Sequence, residues 1–179
     1  MNDLRSLFEK IHNKDSSLLK ILNINLKCKV LDTLMVPITY LGSLTFMCIF
    51  CLALLLSKDE LITLYAINCV IALVVGALCT QIIKKIVNRS RPFLKIDNLH
   101  IKKIGIDKYS FPSGHTCAAF SLAVMTRYFF PTFFTAAISL STLVGFSRMY
   151  LGVHYPTDVL IGMFLGVISS VLVHNFIII

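Results

Sequence analysis

The sequence predicts an all-α fold: an integral membrane helical bundle of about five transmembrane helices, led in by an amphipathic N-terminal surface helix. Two observations carry that expectation. Of the 179 residues 56% are hydrophobic and the mean hydropathy is +0.81, more apolar surface than a soluble domain of this length can bury. Residues 34–56 and 61–83 each run 23 positions without a charge, longer than the roughly 20 residues a helix needs to cross a hydrocarbon core.

Taken in order, residues 1–31 are polar and basic, with Leu4, Leu7, Phe8, Ile11, Leu18, Leu19 and Leu22 at helical spacing. Asn13-Lys14-Asp15-Ser16-Ser17 reads as a break with a fresh N-cap. This segment is therefore expected as two short amphipathic helices that either lie on the membrane surface or pack on the spans. Residues 32–179 are expected as one domain. Its first span, 34–56, begins too late, is too long and lacks the small-residue cleavage site of a signal peptide. Ser57-Lys58-Asp59-Glu60 turns the chain tightly into the second span, 61–83. Residues 113–130 form a third, with Arg127 near its end, where a long side chain snorkels to the interface. Residues 132–147 form a fourth and 159–179 a fifth, apolar apart from His174 and Asn175. The one long polar connection, 84–111, is of a size that normally carries function.

The net charge of +8 does not point to nucleic acid, because the cations flank membrane spans and no separate soluble domain presents a basic face. Anionic headgroups are the expected partners. Cys48, Cys51, Cys69, Cys79 and Cys117 fall in or at the mouth of spans, where they act as small hydrophobes. No pair has zinc spacing, so no structural metal is expected.

Chemistry-bearing residues gather in three blocks. Lys84 and Arg91 stand seven apart at the exit of the second span, and Pro92 turns the chain away; alone, such a block also reads as a basic flank on headgroups, as Lys85, Arg89, Lys95, Lys102, Lys103 and Lys108 do. Pro112-Ser113-Gly114-His115 opens the third span. There Ser113 can cap the helix, Gly114 lets a ligand approach the backbone, and the unpaired N–H groups of the first turn favour an anion. Ser147-Arg148 is followed by His154 and Asp158, with Pro156 in the first turn of the last span. A carboxylate four residues after a histidine holds one ring nitrogen and leaves the other nucleophilic, and Arg148 offers a planar fork to phosphate oxygens. With five spans, parity brings all three blocks to one membrane face.

Together these blocks resemble the type 2 phosphatidic acid phosphatase superfamily, over roughly residues 30–179. The resemblance implies a lipid phosphatase acting through a phosphohistidine: His154 as nucleophile, Asp158 orienting it, and His115 protonating the leaving group and then activating water. It implies Lys84, Arg91, Ser113, Gly114 and Arg148 as phosphate ligands, with no cofactor and no metal. Undecaprenyl diphosphate is the first substrate expected, with phosphatidate or phosphatidylglycerophosphate as alternatives. A protein that merely bound lipid phosphate would need the cations but not the His154–Asp158 pair. A transporter would place its ionisable groups near the midplane. Of the 17 Lys and Arg residues, 15 fall on the side of the site and two, Lys58 and Arg127, on the other. The positive-inside rule puts that side in the cytoplasm, whereas family members acting on wall-carrier lipids face outward.

Overall fold

The structure, a computed structural model, describes residues 2–176. Helix α1 spans Asn2–Lys20 and runs through a π-helical turn, Ile21–Asn25, into α2 (Lys29–Tyr40). Then come α3 (Leu44–Leu55), α4 (Glu60–Val87), α5 (Gly114–Phe129), α6 (Phe134–Tyr150) and α7 (Pro156–Phe176). Helix starts follow local chemistry. The Ser43, Asp59 and Ser113 side chains accept from the N–H groups of Phe46, Ile62 and Thr116, each three residues on, which satisfies donors the first turn would otherwise strand.

α5 is the central helix, packed on α4, α6 and α7. Small residues let these backbones meet. A Cβ at Gly162 would stand 2.5 Å from the Ser113 carbonyl oxygen, and one at Gly166 would collide with the Cys117 carbonyl. Hydroxyls bind across the same seam: Ser170 Oγ donates to the Ser121 carbonyl at 2.7 Å, and Ser121 Oγ lies 3.0 Å from Ser169 Oγ. Such contacts suit a medium in which apolar side chains gain little by leaving lipid. On α7, Leu160, Phe164, Ile168 and Leu172 are all exposed at four-residue spacing, an outward stripe that needs acyl chains to cover it.

Among the described residues α4 and α7 are each long and apolar enough to cross a bilayer, as is the α2–α3 pair taken as one. α5 and α6, at 16 and 17 residues, rise only about 24–26 Å. Two expectations are corrected. The run 34–56 is not one helix but two, bent by 54°, because the chain breaks where Gly42 passes against the His115 carbonyl and Val144 and Ser43 caps the next helix. And Asn13–Ser17 is no break: α1 continues through it, because Asp15 turns its carboxylate onto distant partners instead of capping its own backbone.

Candidate active site

The basic residues converge through the way α4 ends. Asn88 adopts the left-handed conformation at φ 51° and closes the helix, a common use of asparagine. The strand of chain beyond it folds back, so Arg91 returns to Lys84 on the last turn. Both are buried. Arg91 Nη1 donates to the Val153 carbonyl at 2.8 Å and lies 3.4 Å from His154 Nε2.

His154 sits in the short loop between α6 and α7, after a turn at Gly152 (φ 70°) that puts Gly152 against Asn23 and the His100 carbonyl. The loop is tied at its far end by a side-chain cap. Asp158 Oδ2 accepts from the Tyr155 N–H at 2.8 Å, three residues before it, in the manner of a capping box. The same oxygen faces His154 Nδ1 at 3.5 Å, long for a hydrogen bond but within reach once the ring gains charge. Because Nε2 faces a guanidinium, the lone pair belongs there and the proton on Nδ1. Complete burial, then the positive charges of Arg148, Arg91 and Lys84, push the His154 pKa well below its ordinary value. This favours the neutral ring, whose Nε2 faces the cation cluster.

His115 stands on the first turn of α5, with Nε2 buried and without a hydrogen-bond partner. Lys84, Arg91, Gly114, His115 and His154 line one cavity. Ser113 and Arg148 lie behind it. Ser113 Oγ accepts from Thr116 Oγ1 at 2.9 Å, so its own proton remains to be donated. Arg148 is fully buried, and its guanidinium donates to Thr39 Oγ1 and to the carbonyls of Ile104 and Gly105 at 2.9, 2.9 and 3.1 Å.

Three residues to which the sequence assigned no part in the site complete the arrangement. Asp107 lays its carboxylate across the cations: Oδ1 and Oδ2 accept from Lys84 Nζ at 2.9 and 2.7 Å, and Oδ1 from Arg91 Nη2 at 2.7 Å. Partial burial would raise its pKa, but the bonds and charges of Lys84 and Arg91 outweigh that and hold it below the usual carboxylate range. Thr39, at the end of α2, holds Arg148. Arg89 is not the headgroup anchor expected from its place in a basic run; Nη1 donates to Asp158 Oδ1 at 2.7 Å and Nη2 to Asp15 Oδ2 at 2.6 Å. The only sequence signal for Arg89 and Asp107 was an ionisable residue close to a motif.

The model of the PAP2 superfamily matches residues 63–178. The bacitracin transport permease protein BcrC of Bacillus licheniformis is 36% identical over 118 residues, 65% of this chain and 56% of the relative. An undecaprenyl-diphosphatase of Sulfolobus acidocaldarius is 32% identical over 101 residues, 56% of this chain and 49% of its own length. The chain thus spans about half the length of these curated relatives. Among solved structures, a transmembrane PAP2-type phosphatidylglycerolphosphate phosphatase of Bacillus subtilis superposes with a TM-score of 0.75 at 25% identity, covering 93% of this chain and 86% of that one. Helical architecture and family match together establish that this chain belongs to the PAP2 superfamily.

Proposed function

We propose that the chain is a multi-pass phosphatase of the cell membrane that hydrolyses undecaprenyl diphosphate through a phosphohistidine on His154. One observation carries the reading: two imidazoles and two cations share a cavity of about 880 Å³ that continues along α3 and α4 as an apolar groove lined by Met47, Cys51, Val70, Leu73 and Ala77. Leu44, Ile49 and Val74 line it too and are exposed on the outer face, so the groove is open to lipid. From Val70 to Lys84 it follows 14 residues of helix, about 21 Å, enough for a long stretch of chain below a polar head. The name of one relative, an undecaprenyl-diphosphatase, favours an isoprenoid diphosphate.

The terminal phosphate takes the place of the Asp107 carboxylate on Lys84 and Arg91. Arg148, Ser113 and the Gly114 N–H join it once the carbonyls of residues 104–105 withdraw. These donors spread the charge that builds in the transition state. His154 Nε2 attacks phosphorus. The bond to the bridging oxygen breaks, and His115, which takes up a proton as the negative phosphate enters the cation cluster, delivers it to that oxygen as the lipid monophosphate leaves. Asp158 holds the Nδ1 proton and balances the charge on the phosphorylated ring. His115, now neutral, takes a proton from water. The resulting hydroxide attacks the phosphohistidine, the P–N bond breaks, and inorganic phosphate departs with His154 restored.

A substrate panel in detergent micelles tests this: undecaprenyl diphosphate, phosphatidate and phosphatidylglycerophosphate, with phosphate release as the readout. The expected result is the highest kcat/KM for the diphosphate and none for a folded His154→Ala protein; turnover by that variant contradicts the reading. A second reading, a phospholipid or isoprenoid-synthesis substrate at the cytoplasmic face, is favoured by the bias of 15 basic residues against two. Labelling a cysteine placed at Lys102 from one side and then the other separates the two.

A further inference from the structure

Beyond the residues of the family match, 63–178, α1 reaches the catalytic loop. Leu19 is fully buried in a cluster with Leu99 and Tyr155. The His12 ring lies 5.6 Å from the Tyr155 ring, and Asp15, three residues on, is 4% exposed. Residues 12, 15 and 19 share a helix face, so one stripe of α1 docks on the turn that carries His154. The Asp15 carboxylate is fully engaged. Oδ1 accepts from the Thr157 N–H at 3.0 Å, and Oδ2 accepts from Arg89 Nη2 at 2.6 Å and from the Thr157 hydroxyl. Arg89 in turn binds Asp158 Oδ1 and Thr157 Oγ1, each at 2.7 Å, and its guanidinium carbon lies 3.9 Å from the centre of the Tyr155 ring.

We infer that Asp15 is a positioning residue for the nucleophile, acting on His154 through Arg89 and Asp158. The physical reason is charge balance in a buried row. Arg89 alone would cancel the field that Asp158 exerts on the histidine. Asp15 neutralises Arg89 from behind and so restores a net negative charge beside Nδ1. Without it, Arg89 draws fully on Asp158, the Nδ1–H contact weakens, and the ring is less able to carry the positive charge it acquires on phosphorylation. The groups facing His154 are Asp158 from α7, Arg148 from α6, His115 from α5, Lys84 and Arg91 from α4 and its exit, and Asp107 from the long loop. Of these, Asp158 is the one that Asp15 reaches, through Arg89.

The inference rests on the hydrolase reading, and its test has a readout that needs no turnover. In Asp15→Asn, kcat is expected to fall about tenfold with KM little changed, the scale of loss for a partner acting through another residue. The acid limb of kcat moves to lower pH, because removing a negative charge favours neutral histidine. In the nitrogen-15 spectrum of histidine-labelled protein, the Nδ1–H proton of His154, assigned by its loss in His154→Gln, moves upfield. Asp15→Glu recovers most of the rate. Leu19→Ala loosens the same docking without touching a charge, and is expected to lower stability while leaving the acid limb and the Nδ1–H signal in place. Asp15→Ser serves if the Asn protein does not fold. An unchanged Nδ1–H signal and acid limb in Asp15→Asn, or the same two shifts in Leu19→Ala, overturn the inference. An inactive wild type with the spectral shift intact overturns the hydrolase reading instead.

Discussion

Asp107→Asn is the perturbation whose outcome the cation cluster determines most sharply. The Asp107 carboxylate makes three charge-assisted bonds, two to Lys84 and one to Arg91, all between 2.7 and 2.9 Å. Its partners are nearly closed off, with side chains 6% and 2% exposed, but its own is 46% exposed, so solvent screens part of the attraction. A hydrogen bond to a charged group contributes about 1.5–3 kcal/mol when buried, and an exposed ion pair about 0.2–1. This mixed case lies near 1–2 kcal/mol. A phosphate that must displace the carboxylate loses that much affinity. In the Asn protein the competitive inhibition constant of inorganic phosphate is therefore expected to fall about 5- to 30-fold, with a parallel fall in KM. The carboxyl is held below the usual range, so it stays ionised and the difference persists from pH 5 to 8. Two buried cations also lose their neutralising partner. The phosphate-free variant should melt lower than wild type, and added phosphate should restore more of its melting temperature. An inhibition constant equal to or above that of wild type would refute the idea that Asp107 occupies the phosphate position.

The remaining predictions concern pH and packing. The folded-state pKa of His154 lies well below its ordinary value, about 6.5 in an unfolded chain. Below that pH the unfolded chain binds a proton that the native one does not, so stability from this residue is present above about pH 6.5 and declines on acidification. A melting temperature that drops between pH 7 and 5 in wild type, but less in His154→Gln, is the expected result. Gly162→Ala places a methyl 2.5 Å from the Ser113 carbonyl and forces α7 from α5; about 2 kcal/mol of stability should go, and with it the alignment of the α5 start with His154. A Gly162→Ala protein with wild-type melting and activity would show that the seam is slack.

How much of this was legible depended on whether a residue acts near its own position in the chain. Ser113, Pro156 and Asp158 were readable because capping works over three or four residues, and Lys84, Arg91 and His154 because a local pattern carries their chemistry. Arg89 and Asp15 were not. Their partners lie 69 and 142 residues away, and nothing within a helical turn distinguishes Arg89 from the lysines around it or Asp15 from an N-cap. Asp107 is illegible for the opposite reason: a sequence pattern marks groups that bind an anion, and this one imitates it. Helix identities followed from hydropathy. The bend at Gly42 did not, because it answers to the His115 carbonyl and Val144, which only the folded bundle brings there.

The most direct measurement is to trap the nucleophile. Protein mixed with substrate labelled in the terminal phosphate, quenched in alkali within a turnover and digested, should yield one labelled peptide carrying phosphate on His154, stable in base and released in acid. No label should appear in His154→Asn. Label on any other residue, or substrate turnover with no protein-bound phosphate at the earliest times, would contradict attack by His154.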